Sequence, residues 1–204
     1  MVVRLTAERA PEIIDVFCDA FRAYPVMTHI SGPFDGLGDA RLRELIALFV
    51  MTRVHRDEPL FGVAGDDGRL IAAATMTLPG EREMPEAVHA HRARTWAALG
   101  DAAREKHAAY ANAAGALAVT APHHHLNMIG VRHEFMGRGH ARALLDAVHA
   151  LAAADPESAG VSLSTELPQN VARYQHFGYA VVGHTKVTPE LETWSMFRPT
   201  AISA

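Results

Sequence analysis

Two glycines one residue apart, Gly137 and Gly139, stand where an apolar strand-like run, Leu126 to Val131, gives way to a helical pattern with Leu144, Leu145, Val148 and Leu151 on one stripe. A helix start offers unpaired backbone N–H groups at the positive end of the helix dipole, so Met136-Gly137-Arg138-Gly139-His140-Ala141-Arg142 reads as a seat for phosphates. Glycine suits such a seat because it takes positive φ and lets a ligand approach the backbone. Arg138 and Arg142, four residues apart, add charge beside the amides. The Gly-Lys-Ser/Thr of a P-loop is absent, and a dinucleotide fingerprint needs a glycine where Arg142 stands.

A second constellation follows downstream, Asn170-Val171-Ala172-Arg173-Tyr174-Gln175-His176-Phe177-Gly178-Tyr179. The glycine loop fits the pattern Gln/Arg-x-x-Gly-x-Gly/Ala at every position except Met136. Together the two stretches resemble the signatures of the GNAT superfamily of acyl-CoA-dependent N-acetyltransferases. Ala20-Phe21-Arg22-Ala23-Tyr24-Pro25 and Thr193-Trp194-Ser195-Met196 are similar to the corresponding pieces of its puromycin N-acetyltransferase-like branch.

The resemblance implies an α/β (α+β) GNAT fold, a mixed and mostly antiparallel central sheet flanked by helices, with its fourth and fifth strands parallel and splayed. It implies acetyl-CoA or coenzyme A as co-substrate and no metal. The backbone of Ile129 and Val131 then holds the pantetheine arm, with Gly130 suiting a local irregularity. Met136, Gly137, Arg138, Gly139, His140, Ala141 and Arg142 hold the pyrophosphate, mainly through amides, so the substitution at Met136 matters little.

Acyl transfer from a thioester to an amine needs a neutral amine, a stabilised oxyanion and a proton for the departing thiolate. Tyr174 corresponds to the family's proton donor, and a phenol of pKa ~10 keeps its proton at neutral pH. Its other reading is a core aromatic on a short helix. Asn170 is either an amide contacting pantetheine or substrate, or the N-cap of that helix. For the base, period-two alternation sets His123, His125 and Asn127 on one side of the strand and His124, Leu126 and Met128 on the other. Serotonin N-acetyltransferases resemble this strand with a His at both of the places held here by His125 and Asn127. His125 leads the candidates, with Glu166 at the mouth of the next strand and a water chain as rivals. The run His123-His124-His125 is no chelating motif, because neighbouring strand residues point apart.

The elements that must position these groups follow from pattern. Residues 1–5 read as a first strand, and Thr6 as the cap of an amphipathic helix carrying Ile13, Ile14, Phe17 and Phe21 that Pro25 stops. Cys18 lies on that stripe and reads as core. Residues 31–38 read as a loop, lining an acceptor pocket beside Tyr24 or merely connecting. A second helix follows from Leu42 to Val50, then a hairpin of residues 61–64 and 70–78. Residues 81–120 read as a helical insertion broken near Gly100, a wall over the acceptor site or helix packed on the sheet. Strands 161–165, 179–187 and 192–197 complete the sheet, the first parallel to its predecessor because a helix crosses between them.

The 204 residues are taken as one domain, 1–204. A formal net charge of -4 with interspersed signs gives no surface for nucleic acid or anionic lipid, and agrees with a cationic acceptor. No signal pattern or membrane-length apolar run is present, so a cytoplasmic protein is expected. The expected partner is a small-molecule amine, with no nucleic acid and no membrane, and with room for a homodimer. Three activities stay open: acetyl transfer to a small amine, a catalytically silent acyl-CoA-binding sensor, and peptide or protein N-acetylation.

Overall fold

The computed structural model describes residues 1–32 and 38–200. Seven strands make one sheet, β1 (Val2–Arg4), β2 (Leu60–Ala64), β3 (Leu70–Thr77), β4 (His124–Val131), β5 (Gly160–Thr165), β6 (Ala180–Lys186) and β7 (Glu192–Pro199), in the order β1-β2-β3-β4-β5-β7-β6. Only the β4–β5 pair is parallel; the other neighbours run antiparallel, as the resemblance implies. No helix among the described residues is long and apolar enough to cross a membrane.

Helices α1 (Ala10–Ala20), α2 (Pro25–Ser31) and α3 (Gly38–His55) belong to one face, and α6 (His140–Ala153) covers the other. The periodicity of α1 explains its seat: Ile13, Val16 and Phe17 recur on one side and are fully buried, each contributing roughly 1.5–3 kcal/mol. Leu144, Leu145 and Val148 do the same for α6 against Leu126, Val161 and Leu163. Between the two layers β3 presents Ala72, Ala73 and Ala74, all without exposed surface.

Pro25 does not stop the first helix. That helix ends at Ala20, and Pro25 opens α2 as its first residue, where its missing N–H costs nothing and its fixed φ is already helical. Tyr24 before it is extended, as a residue preceding proline should be. Ser31, expected in a loop, closes α2, and Gly38 opens α3; residues 33–37 of that expected loop lie outside the described residues. Thr6 precedes a short 3-10 turn, Ala7–Arg9, without a side-chain capping bond.

The insertion forms two helices, α4 (Glu86–Leu99) and α5 (Asp101–Gly115), broken at Gly100, whose φ of 86° suits glycine. α4 lies against α3, and α5 bridges from α2 to β6 and β7. Arg41 ties the junction, donating to the carbonyls of Ser31 and Leu99. The last helix, α7 (Pro168–His176), follows β5 directly.

Candidate functional site

Gly139 is the left-handed N-cap of α6 at φ 83°, and Gly137 has φ 77°. A Cβ built on either would meet nothing within 4 Å, so open space stands beside this backbone. None of the N–H groups from Gly137 to Arg142 donates a hydrogen bond within the described residues. Consecutive unpaired amides at a helix start form an anion cradle. Met136, His140 and Ala141 lie along this turn, with Met136 56% exposed and free of any polar role. Arg138 lies over the Phe135 ring and donates to the Glu134 carbonyl. Arg142 stacks over Phe177 at 4.7 Å, linking the cradle to the end of α7.

The strand leading into the cradle is split from its neighbour. β4 pairs with β5 only from His124 to Leu126, opposite Val161 to Leu163, so Asn127 to Val131 have no partner strand on that side. Ile129 and Val131 thus present a free strand edge that begins at the cradle and runs inward. The irregularity in β4 is not at Gly130, as the sequence suggested. The register against β3 shifts between Leu126 and Met128, which makes Asn127 the bulged residue. Gly130 is small for another reason: a Cβ there would sit 2.8 Å from that of Ala20 and 3.1 Å from Phe17 of α1. The bulge also resets the alternation. Leu126 packs with the α6 cluster while Met128 joins the α1 cluster, so Met128 comes to the side of His125, opposite to strict period two.

Beneath the split lies a cavity of about 570 Å³. Its wall includes Tyr24, His125, Asn127, Glu166, Asn170 and Tyr174, so chemistry-bearing residues separated by up to 150 positions meet there. His107, Tyr110, Ala111 and Ala114 of α5 cover it, so this helix of the insertion is a cavity wall, whereas α4 lies against α3. The aromatic rings of Phe21 and Tyr24 meet edge to face at 5.1 Å along the same wall.

Glu166 is 6% exposed and accepts hydrogen bonds from Tyr110 (2.7 Å) and Thr193 (2.8 Å). Burial pushes its carboxyl above the ordinary range, and those hydroxyls oppose the shift. Tyr24 lies 3.0 Å from the Thr165 hydroxyl and accepts from the Glu166 amide; burial, then the Glu166 charge, holds its phenol far above its usual value. The Tyr174 hydroxyl makes no hydrogen bond within the described residues, and burial with the nearby Glu166 charge raises it to about 12. Asn170 is not the N-cap of α7, a place Leu167 takes without a side-chain bond; Asn170 sits in the first turn and donates to Thr165 at 3.3 Å. Pro168 at the first helical position sets the start earlier than the Asn suggested.

His125 faces Ser162, 2.7 Å away, and burial pulls its imidazole down to about 4, with the positive charge of Arg53 adding to the shift. The other two histidines of the run diverge: His123 contacts the Ala121 carbonyl, and buried His124 meets Ser158 on the α6 side. Cys18 is half-buried with its thiol pushed up to about 11 by burial, so it carries no thiolate chemistry.

Several wall residues went unread in the sequence. Arg53 of α3 is one, and it had a signal: Leu45, Phe49 and Arg53 are spaced by four, so a cation stands where the stripe calls for an apolar side chain. Tyr110 offers no signal beyond its place in the helical insertion, and its pairing with Glu166 spans 56 positions. Ser162 offers no signal beyond alternation, and Thr193, outside the wall, supports Glu166 by its hydrogen bond.

The model of the acetyltransferase (GNAT) domain family matches residues 72–197, more than half of the chain. No curated protein matches it. Among solved structures, a Corynebacterium glutamicum protein named as a histone acetyltransferase and related acetyltransferase shares 19% identity at a TM-score of 0.76, over 100% of this chain and 98% of its own. A Drosophila melanogaster polyamine N-acetyltransferase shares 17% identity at 0.61, over 97% of each chain. The Sinorhizobium meliloti phosphinothricin acetyltransferase, solved with acetyl-CoA, shares 16% at 0.58, covering 98% of this chain and 88% of that one. At these identities the likeness is one of fold.

Proposed function

Because the chain belongs to the GNAT acetyltransferase family, we propose that it transfers the acetyl group of acetyl-CoA to the amine of a small molecule, by direct attack with both substrates bound. The observation that carries this reading is the continuity from the unpaired amides of Gly137–Arg142, along the free edge of Asn127–Val131, to a cavity lined by Glu166 and Tyr174. An anion at one end, an extended arm in the middle and a reacting centre at the other end match a coenzyme thioester. That thioester supplies an activated acyl carbonyl.

Each remaining task falls to a residue of this chain. An alkyl amine of pKa about 10.4 arrives charged, and Glu166 is the base that takes its proton. His125 is the first sequence candidate, but burial and Arg53 pull its imidazole down to about 4, whereas burial raises the Glu166 carboxyl. Free N–H groups on the β4 edge face the developing oxyanion. Tyr174 gives its proton to the departing sulfur, and the two steps are coupled. The negative charge of Glu166 is one cause of the high Tyr174 value. Once Glu166 has accepted the amine proton that charge is gone, and Tyr174 becomes the better acid as the C–S bond breaks. The second proton of the attacking nitrogen, released as the amide forms, restores the Tyr174 phenol, and the proton on Glu166 leaves to solvent.

The cover of α5 favours a small acceptor over a polypeptide, and an intact Tyr174 and Glu166 favour turnover over a silent sensor. Thiol release from acetyl-CoA, measured over aminonucleosides, aryl-alkyl amines and polyamines beside histone-tail and N-terminal peptides, tests the reading. Turnover of the small amines supports it; efficient turnover of peptides with none of the small amines overturns it.

A further inference from the structure

The cavity has two polar ends. One holds Glu166 and Tyr174. The other holds Arg53, Asn127 and His125, and its hydrogen-bond directions can be followed atom by atom.

Arg53 donates to the Thr77 hydroxyl at 3.1 Å. A guanidinium has no acceptor atom, so Thr77 must spend its own proton on Asn127, whose Oδ1 lies 3.1 Å away. That fixes the amide: its oxygen faces Thr77, and its NH2 group, with no partner in the described residues, is left for the cavity. The same reasoning applies to His125. The Ser162 hydroxyl, 2.7 Å from Nδ1, makes no other side-chain hydrogen bond, and in the tautomer where it donates to Nδ1 the ring carries an Nε2–H on its far side. Arg53, Asn127 and His125 therefore offer only donors to the space between them.

Charge agrees with the directions. Arg53 and Arg56 share a single fully buried carboxylate, Glu58, at 3.0 Å and 2.8 Å, which leaves one positive charge in excess. Arg53 keeps 16% of its side chain exposed and belongs to the cavity wall, whereas Arg56 does not. Its Nε lies close to Glu58 but out of line for a hydrogen bond, so the pairing leaves the guanidinium under-satisfied. Although the chain as a whole is acidic, this end of the cavity is cationic.

We propose that Arg53, with Asn127 and His125, binds an anionic group of the acceptor, a carboxylate, so that the substrate is an amine bearing a carboxylate at a distance. This rests on the small-amine acetyltransferase reading and deepens it. The distance follows from register. His125 pairs with Ser162, and Glu166 lies four residues further on, one past the end of β5, roughly 13 Å of extended chain before the side chains reach inward. An α-amino acid, with its two groups on one carbon, is too short to engage both ends; ω-amino acids of sufficient length fit.

The test is a matched series on the wild-type protein. Straight-chain and aromatic ω-amino acids of increasing length, their methyl esters and the corresponding alkylamines are compared by kcat/KM for thiol release. The acid should exceed its ester by at least about 10-fold at the best length, in keeping with one charge-assisted interaction in a closed site. Arg53→Gln should bring that ratio towards one, and Arg53→Lys should restore part of it. Removal of Arg53 leaves Glu58 with one partner, so the wild-type ratio decides even if the variant folds poorly. A binding arm separates the two readings. Simple carboxylates without an amine should bind the coenzyme A complex more tightly than their methyl esters by calorimetry, whether or not any amine is acetylated. Acids and esters that are turned over equally, or carboxylates that bind no better than esters, overturn the carboxylate site and leave acetyl transfer standing. Carboxylate binding without turnover of any small amine defeats the acetyltransferase reading instead.

Discussion

Replacing His125 by Gln and lowering the pH measures how firmly the cavity holds that ring neutral. An imidazole with an unfolded value of 6.5 and a folded value of about 4 binds its proton only on unfolding in the interval between them. The unfolded state then binds more protons than the native one, so stability falls as pH falls through 6.5 towards 4. At pH 5 the linkage relation gives a loss of about 2 kcal/mol from this one group, against less than ~0.1 kcal/mol at pH 7.5. His149, also near 4, and the other buried histidines act in the same direction, but they are common to both proteins and cancel in the comparison. Urea unfolding followed by tryptophan fluorescence at pH 7.5 and pH 5 is the assay. With a slope near 2 kcal/mol per molar, the wild-type midpoint should drop about 1 M more than that of the variant. The kcat/KM profile of the wild type should correspondingly show no inflection from His125 near 6.5. Equal losses of stability in the two proteins would mean that the ring protonates freely in the folded state, and both the donor role given to Nε2 and the choice of Glu166 as base would fall.

Gly139→Val should abolish measurable coenzyme A binding by calorimetry, because φ 83° strains a β-branched residue and the side chain enters the anion's space; unchanged affinity would move the phosphate elsewhere. Tyr174→Phe should lower turnover by ~10²–10⁴-fold with acetyl-CoA affinity kept, and wild-type turnover under chemistry-limited conditions would make the ring mere packing. Gly130→Val should lose at least ~1–3 kcal/mol in chemical denaturation, since α1 leaves no room for Cβ; a neutral outcome would show that α1 moves away cheaply.

What the sequence made legible was local. Periodicity found α1 and α6, the hairpin turn and the break at Gly100, and the two glycines located the cradle. The family resemblance supplied the parallel pair and the free strand edge. What it hid depended on contacts across the chain. Pro25 looks the same whether it ends one helix or begins another, and only the burial of Val26 and Ile30 against the α1 layer decides. Alternation cannot foresee a bulge, so strict period two sets Met128 on the wrong face. Arg53 reads as a helix-surface cation until Glu58, Thr77 and the cavity are seen around it, and Tyr110 becomes polar machinery only when α5 folds over Glu166.

The short ladder between β4 and β5 bears on how the molecule opens as well as on what it binds. Three rungs, with α6 packed across both sides, join a half-sheet of β1 to β4 with one of β5 to β7, and the β2–β3, β3–β4, β5–β7 and β6–β7 ladders are longer. Such a seam is where a cooperative unit ends, and native-state amide exchange should show the two halves protected to different degrees. A ligand lying along the seam supplies the missing rungs, so its arrival should slow exchange along Asn127–Val131 and bring the exchange rates of the halves closer together.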